Sequence, residues 1–142
     1  MNAIVVGVDG SPTARKAAGE AAEMARRYER PLHLVMAIAK GGVQQISGGG
    51  SATYRVDPLT TAEEQLLALA GELKSASSDL PITTAVVVND PAGALCDEAR
   101  NVEASVIVVG NKRVQGAARI LGSIAGDVAK SAPCNVLIVH TV

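Results

Sequence analysis

The chain has 142 residues, the size of one domain, with 13 basic against 14 acidic side chains and a formal net charge of −1. Nothing in that balance forms a basic block, which argues against nucleic acid or an anionic membrane as partner. With no Phe, no Trp and only Tyr28 and Tyr54, stacking platforms for single-stranded nucleic acid are nearly absent as well, so a small soluble ligand fits better. Cys96 and Cys134 lie far apart without a CxxC or metal spacing and read as free thiols in a reducing compartment. No signal peptide or long apolar run is visible, and a soluble, cytoplasmic protein is expected.

In chain order, Ala-Ile-Val-Val-Gly-Val at 3–8 is a short, largely β-branched run that suits a buried first strand. Asp9-Gly10-Ser11-Pro12 ends it. Ser11 is placed to cap a helix with Pro12 in its first turn, and Ala14, Ala17, Ala18, Ala21, Ala22, Ala25 and Tyr28 then fall on one face. Those small residues let a helix sit close to a sheet. Asp9 has two readings from the residues alone, a turn former in Asp-Gly-Ser or a ligand group at a strand's carboxyl end.

Residues 31–39 form a second strand, in which His33 alternates with Leu32 and Leu34 and is expected half-exposed or hydrogen-bonded. The polar, glycine-rich stretch 40–58 is expected to be a flexible loop, placed after the second strand and so beside any crevice there. Thr60 with Glu63 reads as a capping box, and Leu59, Ala62, Leu66, Leu69, Ala70 and Leu73 run at helical spacing. A third strand spans 82–88. Asn89-Asp90-Pro91 then opens a helix with Leu95, Ala99 and Val102 inward and Cys96 as a packing residue.

The most informative stretch is 105–125. Val106 to Val109 make a β-branched strand, Gly110 frees the backbone to turn, and Gly122-Ser123 precede Ile124, Ala125, Val128 and Ala129 at helical spacing. Ser123 reads as the N-cap of that helix. A helix start leaves N–H groups without partners and attracts anions, and Lys112, Arg113 and Arg119 in the loop add positive charge, so the strand–loop–helix reads as a phosphate cradle. An ordinary exit turn and cap is the competing reading. Neither the P-loop nor the G-x-G-x-x-G dinucleotide pattern is present. A last strand is expected at 135–142, giving a single domain over 1–142.

The 105–125 stretch resembles the nucleotide-binding signature of the universal stress proteins: Gly, two residues, Gly, nine residues, then Gly-Ser or Gly-Thr. The likeness continues into Ala132-Pro133-Cys134-Asn135-Val136-Leu137-Ile138-Val139, and Ile4-Val-Val-Gly-Val-Asp9-Gly10-Ser11 is similar to that family's opening strand. Arg113 departs from it, standing where the second glycine would be, with eight residues rather than nine before Gly122. The resemblance implies an α/β fold of the adenine nucleotide alpha hydrolase-like, Rossmann-like kind: one open five-stranded parallel sheet in the order 3-2-1-4-5 with helices on both faces. Ligands of such sheets lie beyond the strands' carboxyl ends at the switch in strand order, which brings Asp9 and Gly110 together.

The resemblance further implies an adenine nucleotide site with ATP, with or without Mg2+, as the expected ligand and cyclic AMP as the alternative. Its residues are Val8, Asp9, Ala37, Val109, Gly110, Arg113, Gly122, Ser123, Ile124 and Ala125, with Asp9 by the ribose, Ala37 and Val109 about the base, and the glycine loop under the phosphates. Binding rather than turnover is expected, since Gly122-Ser123-Ile-Ala-Gly126 is not a G-x-S-x-G elbow and neither His33 nor His140 has an evident acid in catalytic order. It also implies a homodimer through strand 135–142. The competing function is a non-nucleotide interaction module with the same fold, which Arg113 favours: a Cβ at a position that wants positive φ costs about 1 kcal/mol.

Overall fold

The computed structural model describes residues 2–39, 45–47, 53–55, 57–111 and 122–141. Five strands, β1 (Ile4–Gly7), β2 (Leu32–Ile38), β5 (Ile82–Val88), β6 (Val106–Asn111) and β7 (Asn135–His140), form one sheet in the order β5-β2-β1-β6-β7. All its pairings are parallel. Leaving aside the short β3 (Gln45–Ser47) and β4 (Thr53–Arg55), which pair only with each other, this is the expected order. The antiparallel β3–β4 ladder interrupts the stretch expected to be one flexible loop, and the rest of 40–56 lies outside the described residues.

The helices among the described residues are α1 (Pro12–Arg27), α2 (Pro58–Ala76), α3 (Pro91–Asn101) and α4 (Ser123–Ser131). Strand alternation sorts the core into two layers. On one face Ile4, Val6, Leu32, Leu34 and Val108 pack with the buried sides of α1 and α2, and on the other Val5, Val35, Ile107 and Val109 pack with Leu95 and Ala99 of α3 and Ala125 and Val128 of α4. Each fully buried Val, Leu or Ile contributes about 1.5–3 kcal/mol of burial free energy, which is why the sheet, covered on both faces, carries the apolar runs.

Alanines 14, 17, 18, 21 and 25 of α1 are buried, as the spacing predicts, whereas Tyr28 is 67% exposed. Tyr28 is the C-cap, at φ −92° and ψ 2°, and no longer follows the helical face. In α2 the start is earlier than the capping box suggests: Asp57 is the N-cap, its carboxylate accepting from the Leu59 amide and the Thr60 hydroxyl, and Pro58 occupies the first turn. Proline needs no N–H partner there, so Asp-Pro displaces the Thr60–Glu63 pattern. Leu59 is accordingly exposed on the first turn, while Ala62, Leu66 and Leu69 are buried.

His33 points to the α3 face and is buried, with Nδ1 2.6 Å from the Thr83 hydroxyl and Nε2 2.8 Å from Glu98 of α3. Glu98 also accepts from Asn101. Burial opposes its ionisation, but the hydrogen bonds from His33 and Asn101 outweigh that and hold the carboxyl below its ordinary range. Cys96 and Cys134 are free, and burial raises both thiols, as suits packing residues.

Candidate functional site

At the carboxyl ends of β1, β2 and β6 the starts of α1, α3 and α4 converge on one open pocket of about 340 Å³, within the range of small-ligand sites, about 300–1,000 Å³. Its apolar walls are Val35 and Ala37 of β2, Pro91 and Leu95 of α3, and Val8 and Val109. Its polar rim is Asp9, Ser11, Thr13, Asn111 and Ser123. Between β1 and β6 the chain's direction of winding reverses, which is why neighbouring strand ends splay their connections to opposite faces and leave this crevice.

Of the ten residues expected at a site, the structure brings nine together around this pocket: Val8, Asp9, Ala37, Val109, Gly110, Gly122, Ser123, Ile124 and Ala125. Arg113, with Lys112 and Arg119, lies outside the described residues. Among the described lining residues none is Lys or Arg, so their positive character comes from helix starts and backbone amides.

The starts of α1 and α3 are built alike, with a side-chain cap and proline in the first turn. Ser11 caps α1 by accepting from the Ala14 amide at 3.1 Å, and Asp90 caps α3 by accepting from Gly93 at 3.1 Å. Asp9 makes the turn into α1, one carboxylate oxygen accepting from the Ser11 amide at 2.9 Å, with Gly10 at φ +83° as the left-handed residue that completes it. The carboxylate nevertheless stays exposed at the pocket rim, so the turn and the ligand readings of Asp9 do not compete.

α4 departs from expectation. Its N-cap is Gly122, Ser123 is already the first helical residue, and no side-chain cap bond is made within the helix. Of the four N–H groups that a helix start leaves over, that of Gly122 donates to Oδ1 of Asn111 at 3.2 Å, and those of Ser123, Ile124 and Ala125 find no acceptor among the described residues. Of the apolar residues at helical spacing, Ile124 is 43% exposed at the pocket and Ala129 is exposed too, leaving Ala125 and Val128 to bury the helix.

Asn111 is the residue that reading the sequence missed. Alternation along β6 puts it on the same side as Ile107 and Val109, toward α4, whereas Gly110 faces α1; a Cβ on Gly110 would lie 3.2 Å from the Thr13 carbonyl and 3.1 Å from its methyl. The parity of the strand was a usable signal. Thr13, Pro91 and Leu95 were legible only as helix residues.

A sequence model described as the universal stress protein family matches residues 1–140. The chain belongs to that family. Two universal stress proteins of Mycobacterium tuberculosis are each 30% identical to it over 97% of its length. The chain spans about half of one of these relatives (48%) and 95% of the other. Among solved structures, a universal stress protein in complex with cAMP is 29% identical with a TM-score of 0.75, covering 99% of this chain and 98% of that one. A universal stress protein from Archaeoglobus fulgidus in complex with dAMP is 26% identical with a TM-score of 0.71, over 97% of each chain. The five-stranded parallel sheet of this universal stress protein is thus the fold of its structural neighbours.

Proposed function

We propose that this universal stress protein binds an adenine nucleotide in the pocket between β1, β2 and β6, as a sensor or regulator rather than as an enzyme that turns it over. The observation that carries the reading is the unfinished start of α4, three amides without a described acceptor at the rim of an apolar slot. The cAMP and dAMP complexes of two relatives support the adenine class. The pocket residues fit such a ligand. The base has a slot between Ala37 and Val109, the Asp9 carboxylate stands where it would accept from ribose hydroxyls, and the phosphates have the amides of Ser123, Ile124 and Ala125. ATP, with Mg2+ on its phosphates, is the ligand proposed first, with Arg113 as an added phosphate contact. The cAMP-bound relative favours cyclic AMP as second candidate.

With no Trp and two Tyr the protein absorbs weakly near 280 nm, so a co-purified adenine would dominate its spectrum. Calorimetry with ATP–Mg2+ and with cyclic AMP is expected to show saturable heat for at least one of them. No heat and no thermal shift from either at millimolar concentration would remove the proposal.

The same proposal includes a homodimer through β7 and a cytoplasmic setting. β7 is an edge of the sheet, its Leu137 is 36% exposed, and an exposed apolar edge invites antiparallel pairing with a second copy about a two-fold axis. No helix among the described residues is long and apolar enough to cross a membrane, and the free thiols suit a reducing compartment, which cell fractionation tests. Light scattering is expected to give twice the 14.4 kDa chain mass, and Ile138→Pro to give the single-chain mass, because proline removes a ladder donor. A native chain at the single-chain mass at tens of micromolar would defeat the dimer.

A further inference from the structure

We infer that Asn111 is a positioning residue for anion binding: from the last place in β6 it holds the start of α4 so that the next three amides face the phosphate end of the ligand. The inference rests on the nucleotide reading above and adds the residue that makes the amide cradle. α4 has neither a capping side chain of its own nor proline at its first position, the two devices that begin α1, α2 and α3. Its start is instead fixed from outside, by the bond from the Gly122 amide to Oδ1 of Asn111. That bond spans the two ends of the 112–121 segment.

Asn111 is itself held. Its side chain is buried, 8% of the residue being accessible, and its backbone pairs with β7 opposite His140. Its carbonyl also accepts from the Thr141 hydroxyl at 3.0 Å. An acceptor that rigid transmits the position of the sheet to the helix start, and anion binding by amides depends on their direction as well as their number. The chemistry also explains the residue type. An amide oxygen accepts from Gly122 without a charge, whereas a carboxylate at this place, as good a cap otherwise, would repel the anion the remaining amides attract. A leucine would fill the volume and leave the Gly122 N–H unpaired.

The test compares the native chain with Asn111→Leu and Asn111→Asp in calorimetry with ATP–Mg2+ and with adenosine, which has the base and ribose but no phosphate. Asn111→Leu is expected to weaken ATP by about tenfold or more, as one misdirected or unpaired amide group implies, and to leave adenosine within about twofold. Hydrogen exchange at the Gly122 amide is expected to quicken in the same variant. Asn111→Asp keeps an acceptor but brings a buried negative charge, so it is expected to lose ATP far more than adenosine, whatever it costs in melting temperature. Equal losses of ATP and adenosine in Asn111→Leu would mean a merely structural role and overturn the inference, as would native ATP affinity in either variant. A native chain that binds neither ligand defeats the nucleotide reading and this inference with it, whereas native binding with an indifferent Asn111 defeats the inference alone.

Discussion

Gly110 and Gly122 stand at the two ends of one loop, and among the described residues the first is crowded by its neighbours and the second is not. A Cβ on Gly110 would press on the backbone of Thr13 at 3.2 Å and on the methyl of Thr141 at 3.3 Å, so a side chain at the end of β6 would make α1 and the β7 end give by a few tenths of an ångström. At Gly122 a Cβ would meet, among the described residues, only Asn111 Oδ1 at 3.4 Å, and its φ of −60° is open to any residue. On the proposed nucleotide reading, bareness at Gly122 serves the pocket. The helix starts repeat the lesson: Ser11, Asp57 and Asp90 finish α1, α2 and α3 from within, and α4 alone among the four is left for something else to finish.

Substituting the two glycines turns that comparison into numbers. Gly122→Val, with its side chain over the first turn of α4, is expected to weaken ATP about a hundredfold, equivalent to about 2.7 kcal/mol. The ligand-free protein should lose no more than about 1 kcal/mol, the scale of an N-cap preference. Gly110→Ala should do the reverse, costing about 1–3 kcal/mol of stability through overpacking before any ligand is added. Paired denaturant melts and titrations read both, and a variant pair with matching profiles would erase the distinction between the ends.

The smallest expected effect sharpens the contrast from outside the pocket, at the His33–Glu98 pair that fastens α3 to β2. Because the folded protein holds the Glu98 carboxyl below the ordinary glutamate value of 4.5, its contribution is fully present above that pH and is lost as pH falls through the folded value. Glu98→Gln should cost about 1 kcal/mol near neutral pH, the charged part of a hydrogen bond, with the gap from the native chain narrowing below pH 4.5. Melting curves between pH 7 and the acid limit measure it. A gap that widens on acidification would reverse the sign assigned to the pair.

How much was legible beforehand follows from the range of the forces involved. β-branched runs such as Val106 to Val109 and the alanine face of α1 declare strand and helix through local sterics and periodicity, and the strand order followed once the chain was seen to resemble a known family. Glycine positions 110 and 122 were visible for the same local reason. Helix starts were less so: Thr60 and Ser123 each satisfy a capping pattern, and each lost to a neighbour, Asp57 because Pro58 suits the first turn and Gly122 because a strand residue supplied the bond. Which of two nearby polar residues ends a helix depends on where the chain comes from.

The sequence by itself determined the alternation of strands and helices, the buried sheet and the bare positions at both ends of the 110–122 connection, since these rest on side-chain shape and spacing over a few residues. Only the tertiary structure decided that Asn111 would meet Gly122, that Leu95 and Pro91 of α3 would close the pocket, and that His33 would find Glu98, 65 residues away. Those partners are distant along the chain. Their meeting is set by which face each element turns to the sheet, and that becomes definite only when the two layers pack.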